Sequence, residues 1–121
     1  NLGGQKIYDG SGLSRDNRIS ARFLADVLRI AARDPQIGAE FPSLFPVAGR
    51  DGTVKSLLRG TRLSGRIALK SGSMTGVQCY AGYYPAKAPR YAVVMMVNRY
   101  RCNYGQLRRS IEQLFTGLFA N

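Results

Sequence analysis

The chain contains no histidine. A Ser-His-Asp triad, a Cys-His pair and a histidine metal site are therefore beyond what its residues can build. Its 2 cysteines, Cys79 and Cys102, have no CxxC spacing, which argues against structural zinc. A strand-to-loop disulfide in an extracytoplasmic setting and a pair of buried free thiols are equally open. No apolar run approaches the roughly 18 residues of a membrane span. The opening NLGGQKIYDG lacks the charged and apolar regions of an export signal, which leaves location open, since a mature chain would have lost such a signal. Acidic residues are scarce: 7 Asp plus Glu against 18 Lys plus Arg give a net charge of +11. That balance attracts polyanions such as nucleic acid, anionic lipid or acidic polymers. The arginines are nonetheless spread from Arg15 to Arg109, close together only at Arg99/Arg101 and Arg108/Arg109, and no basic block alternates with aromatics. A solvated basic surface fits that spread better than a dedicated nucleic-acid site.

What is present is ordinary globular material. With 121 residues, 45% of them hydrophobic and 21% charged, the chain can bury one core. The segment SARFLADVLRIAAR, 20 to 33, puts Phe23, Leu24, Val27, Leu28 and Ala31 on one helical face, with Ser20 as N-cap and Pro35 beyond the end. Residues 36 to 62 carry Gly38, Pro42, Pro46, Gly49, Gly52 and Gly60 and read as short helical turns joined by loops. Within them GTVKSLLRG makes two helical turns around Val54, Leu57 and Leu58.

Three strands follow: RIALKS at 66 to 71, VQCYAGYY at 77 to 84 and YAVVMMVN at 91 to 98, separated by SGSMTG and by PAKAP. The third is continuously apolar, as in a strand covered on both faces. In NYGQLRRSIEQLFTGLFAN, Asn103 caps and Gln106 stands three residues on, while Leu107, Ile111, Leu114, Phe115 and Leu118 form one stripe. The order of elements predicts an α/β layered domain, α+β in type, with helices packed on an antiparallel sheet.

One stretch interrupts the apolar pattern: LKSGSMTG, 69 to 76. In a strand, Lys70 projects from one face while Leu69 and Ser71 point to the other face or to the edge. A lysine, a small hydroxyl residue and a glycine suit an edge strand lining a cleft. Lys70 supplies fixed charge, Ser71 a hydroxyl for a carboxylate, and Gly72 room for a ligand to lie against the backbone. The Ser73 N–H just beyond is then available to a developing oxyanion. Alone, KSG is a weak signal, because an edge-strand lysine pointing to water gives the same three letters.

Its neighbours sharpen it. YDGSGLSRDNRIS at 8 to 20, FPSLFPVAGRDGTVKSLLRG and ALKSGSMTGVQCYAGYY occur in that order, and K-T-G belongs to the signature set of penicillin-recognising serine enzymes. Together the three motifs resemble the C-terminal part of the serine D-alanyl-D-alanine carboxypeptidases of the penicillin-binding protein 4 type, peptidase family S13, from about residue 7 to the end. The resemblance implies a β-lactamase/transpeptidase-like domain of which residues 1 to 121 are the C-terminal segment. It implies that Lys70, Ser71 and Gly72 are the K[TS]G triplet holding the terminal carboxylate of a peptidoglycan stem peptide ending in D-Ala-D-Ala, or that of an inhibiting β-lactam. Ser73 then supplies the oxyanion N–H, and Arg15, Met74 and Thr75 border the pocket for the side chain of the stem-peptide diamino acid. Asp9, Gly10, Ser11, Gly12 and Ser14 shape the loop that presents Arg15. A periplasmic or otherwise extracytoplasmic location follows from the substrate, with no cofactor, no metal and no nucleic acid expected.

The departures matter as much. KSG replaces KTG, which keeps the hydroxyl and loses a methyl. No serine has a lysine three residues later: Ser11 meets Ser14, Ser14 meets Asn17, Ser20 meets Phe23 and Ser71 meets Met74. The chain has no S-x-x-K, so no catalytic nucleophile is assigned to it; serine and proton-transfer lysine are expected from an N-terminal part of the same enzyme. The segment alone is expected to be inactive, and its strands to need that part as a partner layer.

Overall fold

The computed structural model describes residues 4–119. Helix α1, Ala21–Arg33, starts where the Ser20 hydroxyl accepts the Phe23 N–H, satisfying one of the orphan donors at a helix start. Of its apolar face Leu28 is buried, whereas Val27 stays exposed. Beyond it a 3-10 turn at Phe41–Leu44 brings Phe41 and Phe45 edge-on to the Tyr83 ring.

The stretch GTVKSLLRG departs from the expected two helical turns. It makes one 3-10 turn, Gly52–Val54, followed by irregular turns. The backbone explains it, because Leu58 and Gly60 take positive φ, which the interior of a right-handed helix does not admit. Glu112 accepts the Leu58 N–H at 2.6 Å. Val54, Leu57 and Leu58 are nevertheless buried as their apolar character requires.

Strands β1 (Ala68–Met74), β2 (Val77–Tyr84) and β3 (Tyr91–Asn98) form one antiparallel sheet in the order β1-β2-β3. β2 and β3 match the sequence reading end for end. β1 begins two residues later than expected and runs on to Met74, so that most of SGSMTG is strand. Met74 pairs with Val77, leaving only Thr75 and Gly76 as the loop. Gly76, at φ +74, supplies the left-handed step such a tight hairpin needs.

The sheet is layered between helices. Tyr83 points to α1, donating its hydroxyl to the Leu28 carbonyl at 2.6 Å. Tyr80, three residues back and on the other face, meets the Phe115 ring of α2, Tyr104–Leu118. The Asn103 side chain caps α2 by accepting the Gln106 N–H at 2.9 Å. Leu107, Ile111 and Phe115 are buried, but Leu114 and Leu118 are 60% and 66% exposed, so the apolar stripe is narrower than its sequence suggests. The core lies on the α2 face, where Val54, Leu58, Leu63, Ile67 and Leu69 join that helix; each such side chain contributes about 1.5–3 kcal/mol. This is the α/β layered arrangement with a closing C-terminal helix that the pattern of elements predicts.

Candidate active site

The site follows from how the outer edge of β1 is treated. Before Lys70 the edge is covered: Val47 bridges to Ala68, the Leu69 N–H donates to the Pro46 carbonyl at 2.8 Å, and Ala48 N–H to the Ile67 carbonyl at 2.9 Å. The chain then turns away through Gly49, at φ +84. Asp51 holds that turn by accepting the Val47 N–H at 3.1 Å. The Arg50 guanidinium, then the Val47 N–H, keep its carboxyl below the usual carboxylate range.

Leu69 also fixes the direction of the backbone beyond it. Its N–H points away from β2, and strand backbone alternates with a period of two. The N–H groups of Ser71 and Ser73 therefore face the same open edge. Neither has a hydrogen-bond partner among the described residues. Two unpaired donors on an exposed edge are a ready acceptor site for a ligand oxygen.

Lys70 faces the α1 side, paired with Ala81. Its ammonium curls to the edge and donates to the Ser71 carbonyl at 2.8 Å. An ammonium has three donors, so two remain for a ligand carboxylate. Ser71 projects to the opposite face, where its hydroxyl lies 2.6 Å from that of Thr53. No side chain obstructs Gly72: a Cβ placed there meets nothing within 4 Å. The Ser73 hydroxyl donates to the side-chain oxygen of Gln78 at 2.6 Å. Gln78 is 2% exposed and lies beneath Tyr80, whose phenol is pushed up by burial and by its neighbour Tyr104.

A groove of about 880 Å³ runs along the α1 face of the hairpin. It brings Arg15 together with Gly72, Ser73 and Met74, and Arg18 and Arg99 also line it. Lys70, Ser71 and Thr75 are not among its lining residues: the first two serve the edge and Thr75 sits exposed in the hairpin loop. The loop before α1 is organised by Asp9, which accepts from Gly12 and Ser14 N–H at 3.1 and 3.0 Å and from the Asn17 amide at 3.1 Å. Those bonds, the Asn17 one foremost, hold its carboxyl below the ordinary value. Asp9 and Ser14 thus shape the turn that carries Arg15, as the sequence reading expected.

Two residues of this neighbourhood escaped that reading. Thr53 stands in the stretch PVAGRDGT, whose recurrence beside KSG marks the segment without marking the residue. Gln78 is a polar residue inside an apolar strand, a signal that sequence alone does show. Cys79 and Cys102 are both free thiols, Cys79 half-buried and Cys102 exposed; of the two alternatives the sequence left open, no disulfide forms between them here, and neither thiol is fully buried.

An edge strand presenting a lysine, hydroxyls and N–H groups unpaired among the described residues, beside an arginine-lined groove, has the donors and positive charge that suit a carboxylate. The comparisons give the chain a family. Residues 1–115 match the model of the D-Ala-D-Ala carboxypeptidase 3 (S13) family, and the chain belongs to that family. It is 36% identical over 100 residues to a D-alanyl-D-alanine carboxypeptidase of an Actinomadura species, covering 78% of this chain and 18% of that protein. It is 33% identical over 104 residues to D-alanyl-D-alanine carboxypeptidase DacB of Haemophilus influenzae, covering 82% and 21% respectively. The crystal structure of penicillin-binding protein 4 (dacB) from Haemophilus influenzae superimposes with a TM-score of 0.86 at 28% identity, over 98% of this chain and 28% of that one. The same protein complexed with a novel β-lactam gives 0.85 at 29% identity, over 98% and 29%. The chain spans about a fifth of the length of the curated relatives it matches.

Proposed function

We propose that residues 1–121 are the C-terminal segment of a single penicillin-binding domain and form the K[TS]G wall of a serine-type D-Ala-D-Ala carboxypeptidase. The nucleophilic serine and its lysine come from sequence outside these residues, since no S-x-x-K occurs within them. In this reading the serine oxygen attacks the carbonyl of the penultimate D-alanine. The C–N bond breaks, the departing D-alanine takes a proton, and water then hydrolyses the serine ester. Lys70 and Ser71 hold the carboxylate of the terminal D-alanine, the Ser73 N–H stabilises the oxyanion, and Gly72 lets the peptide lie against the strand. Arg15, Met74 and Thr75 border the side chain of the stem-peptide diamino acid. β-Lactams inhibit by acylating the same serine, and the peptidoglycan substrate puts the enzyme outside the cytoplasmic membrane.

The observation that carries this reading is the open edge from Lys70 to Met74, where the Ser71 and Ser73 N–H groups have no partner among the described residues and the Lys70 ammonium, donating to the Ser71 carbonyl, lies beside them. The test is D-alanine release from a peptide ending in D-Ala-D-Ala, by the complete protein. Lys70→Ala should lower kcat/KM about 10- to 100-fold, the worth of a charged hydrogen bond or two. Unchanged release by Lys70→Ala would overturn the assignment.

A further inference from the structure

We infer that Thr53 is a positioning residue: it orients the Ser71 hydroxyl toward an incoming carboxylate. The inference rests on the reading of Ser71 given above and goes beyond it in naming what sets that hydroxyl's direction. The two side-chain oxygens are 2.6 Å apart although the residues are 18 apart in sequence. A hydroxyl carries one hydrogen and two acceptor sites. If Ser71 is to donate its only hydrogen to a carboxylate, its short contact with Thr53 must be one in which Thr53 donates and Ser71 accepts. Thr53 thereby does two things. It holds the Ser71 side chain in one rotamer, and it polarises the Ser71 O–H through a chained hydrogen bond.

The placement of Thr53 comes from packing at both its sides. Val54, fully buried, anchors the 3-10 turn in the core, and its carbonyl accepts the Gly49 N–H at 3.0 Å. Gly52, at φ +53, lets the chain double back after the Asp51 turn. The same segment that covers β1 up to Leu69 therefore returns one residue-pair later to grip Ser71 from the side, without covering its N–H. Thr53 itself is exposed, so its hydroxyl can be removed without opening a cavity.

The experiment uses the complete enzyme and benzylpenicillin as the probe, measuring reversible affinity before acylation separately from the acylation rate. Thr53→Val, close in shape and lacking the hydroxyl, should weaken the reversible step about 3- to 10-fold with the melting temperature unchanged. Thr53→Ser, which keeps the hydroxyl, should restore most of the affinity. Ser71→Ala should weaken binding at least as much, and Thr53→Val added to it should cost nothing further. If Ser71→Ala weakens binding but Thr53→Val does not, or if Thr53→Ser is as impaired as Thr53→Val, the role of Thr53 is overturned while the site reading stands. If Ser71→Ala leaves binding unchanged, the site reading itself fails, and the inference with it.

Discussion

Up to Leu69 the outer edge of β1 is sealed by residues 46–48, whereas from Lys70 onward no backbone among the described residues pairs with it. Both stretches belong to one strand with one register against β2, so pairing is not what separates them. The sealed part carries Ala68 and Leu69, both buried, as is Ile67 just before the strand; the open part carries Lys70, Gly72 and Ser73, all exposed. A fold that only needed stability would cover the whole edge, because an uncovered edge invites aggregation. Covered and open edge are thus divided along the strand at a single residue.

The strongest way to break that division is to substitute the two glycines that face it. A Cβ at Gly82 would overlap the Ala68 carbonyl and lie 3.0 Å from the Leu69 Cα. Gly82→Ala should therefore lower stability by about 3 kcal/mol, read as a shift in the urea midpoint. Gly72→Ala meets open space and should leave that midpoint within about 0.5 kcal/mol, while slowing penicillin acylation because a ligand can no longer lie against the backbone. Equal destabilisation by both would erase the distinction.

Gln78→Leu sits between the two regimes. It removes the acceptor of the Ser73 hydroxyl and should cost about 1 kcal/mol of stability, together with a slower acylation rate if Ser73 N–H must be held on the edge. A smaller effect concerns pH. The Asp51 carboxyl lies below its ordinary value in the fold, so its contribution is present above the unfolded pKa and is lost as pH falls through the folded one. Asp51→Asn should flatten the acid limb of the stability profile, measured by thermal melts between neutral and strongly acid pH. The smallest effect is chemical. Burial pushes the Cys79 thiol up, so iodoacetamide at mildly alkaline pH should label exposed Cys102 before Cys79, as peptide mass mapping would show.

Much of the fold was legible in the sequence, for local reasons. Ser20 and Asn103 cap where their types predict, and β2 and β3 are bounded by turn residues at both ends. β1 runs three residues past its expected end: Gly72 and Ser73 have turn-like composition, while their pairing with Cys79 and Gln78 decides the outcome. The helix expected around Val54 failed on a conformation, the positive φ of Leu58, that apolar periodicity does not encode. Within the candidate site, Lys70 to Ser73 were visible as a motif. The Thr53 contact was not, since no local pattern reports a hydroxyl pair closed by tertiary packing.

If, as proposed above, Lys70 to Ser73 line an acylation site, its serine lies elsewhere in the protein. The most direct measurement is to label the complete protein with fluorescent penicillin and map the modified peptide by mass spectrometry, in the wild type and in Lys70→Ala. The expected result is a label on a serine outside residues 1–121, formed at least about 10-fold more slowly in Lys70→Ala. A label on a serine within these residues, or one that forms equally fast without Lys70, would contradict it.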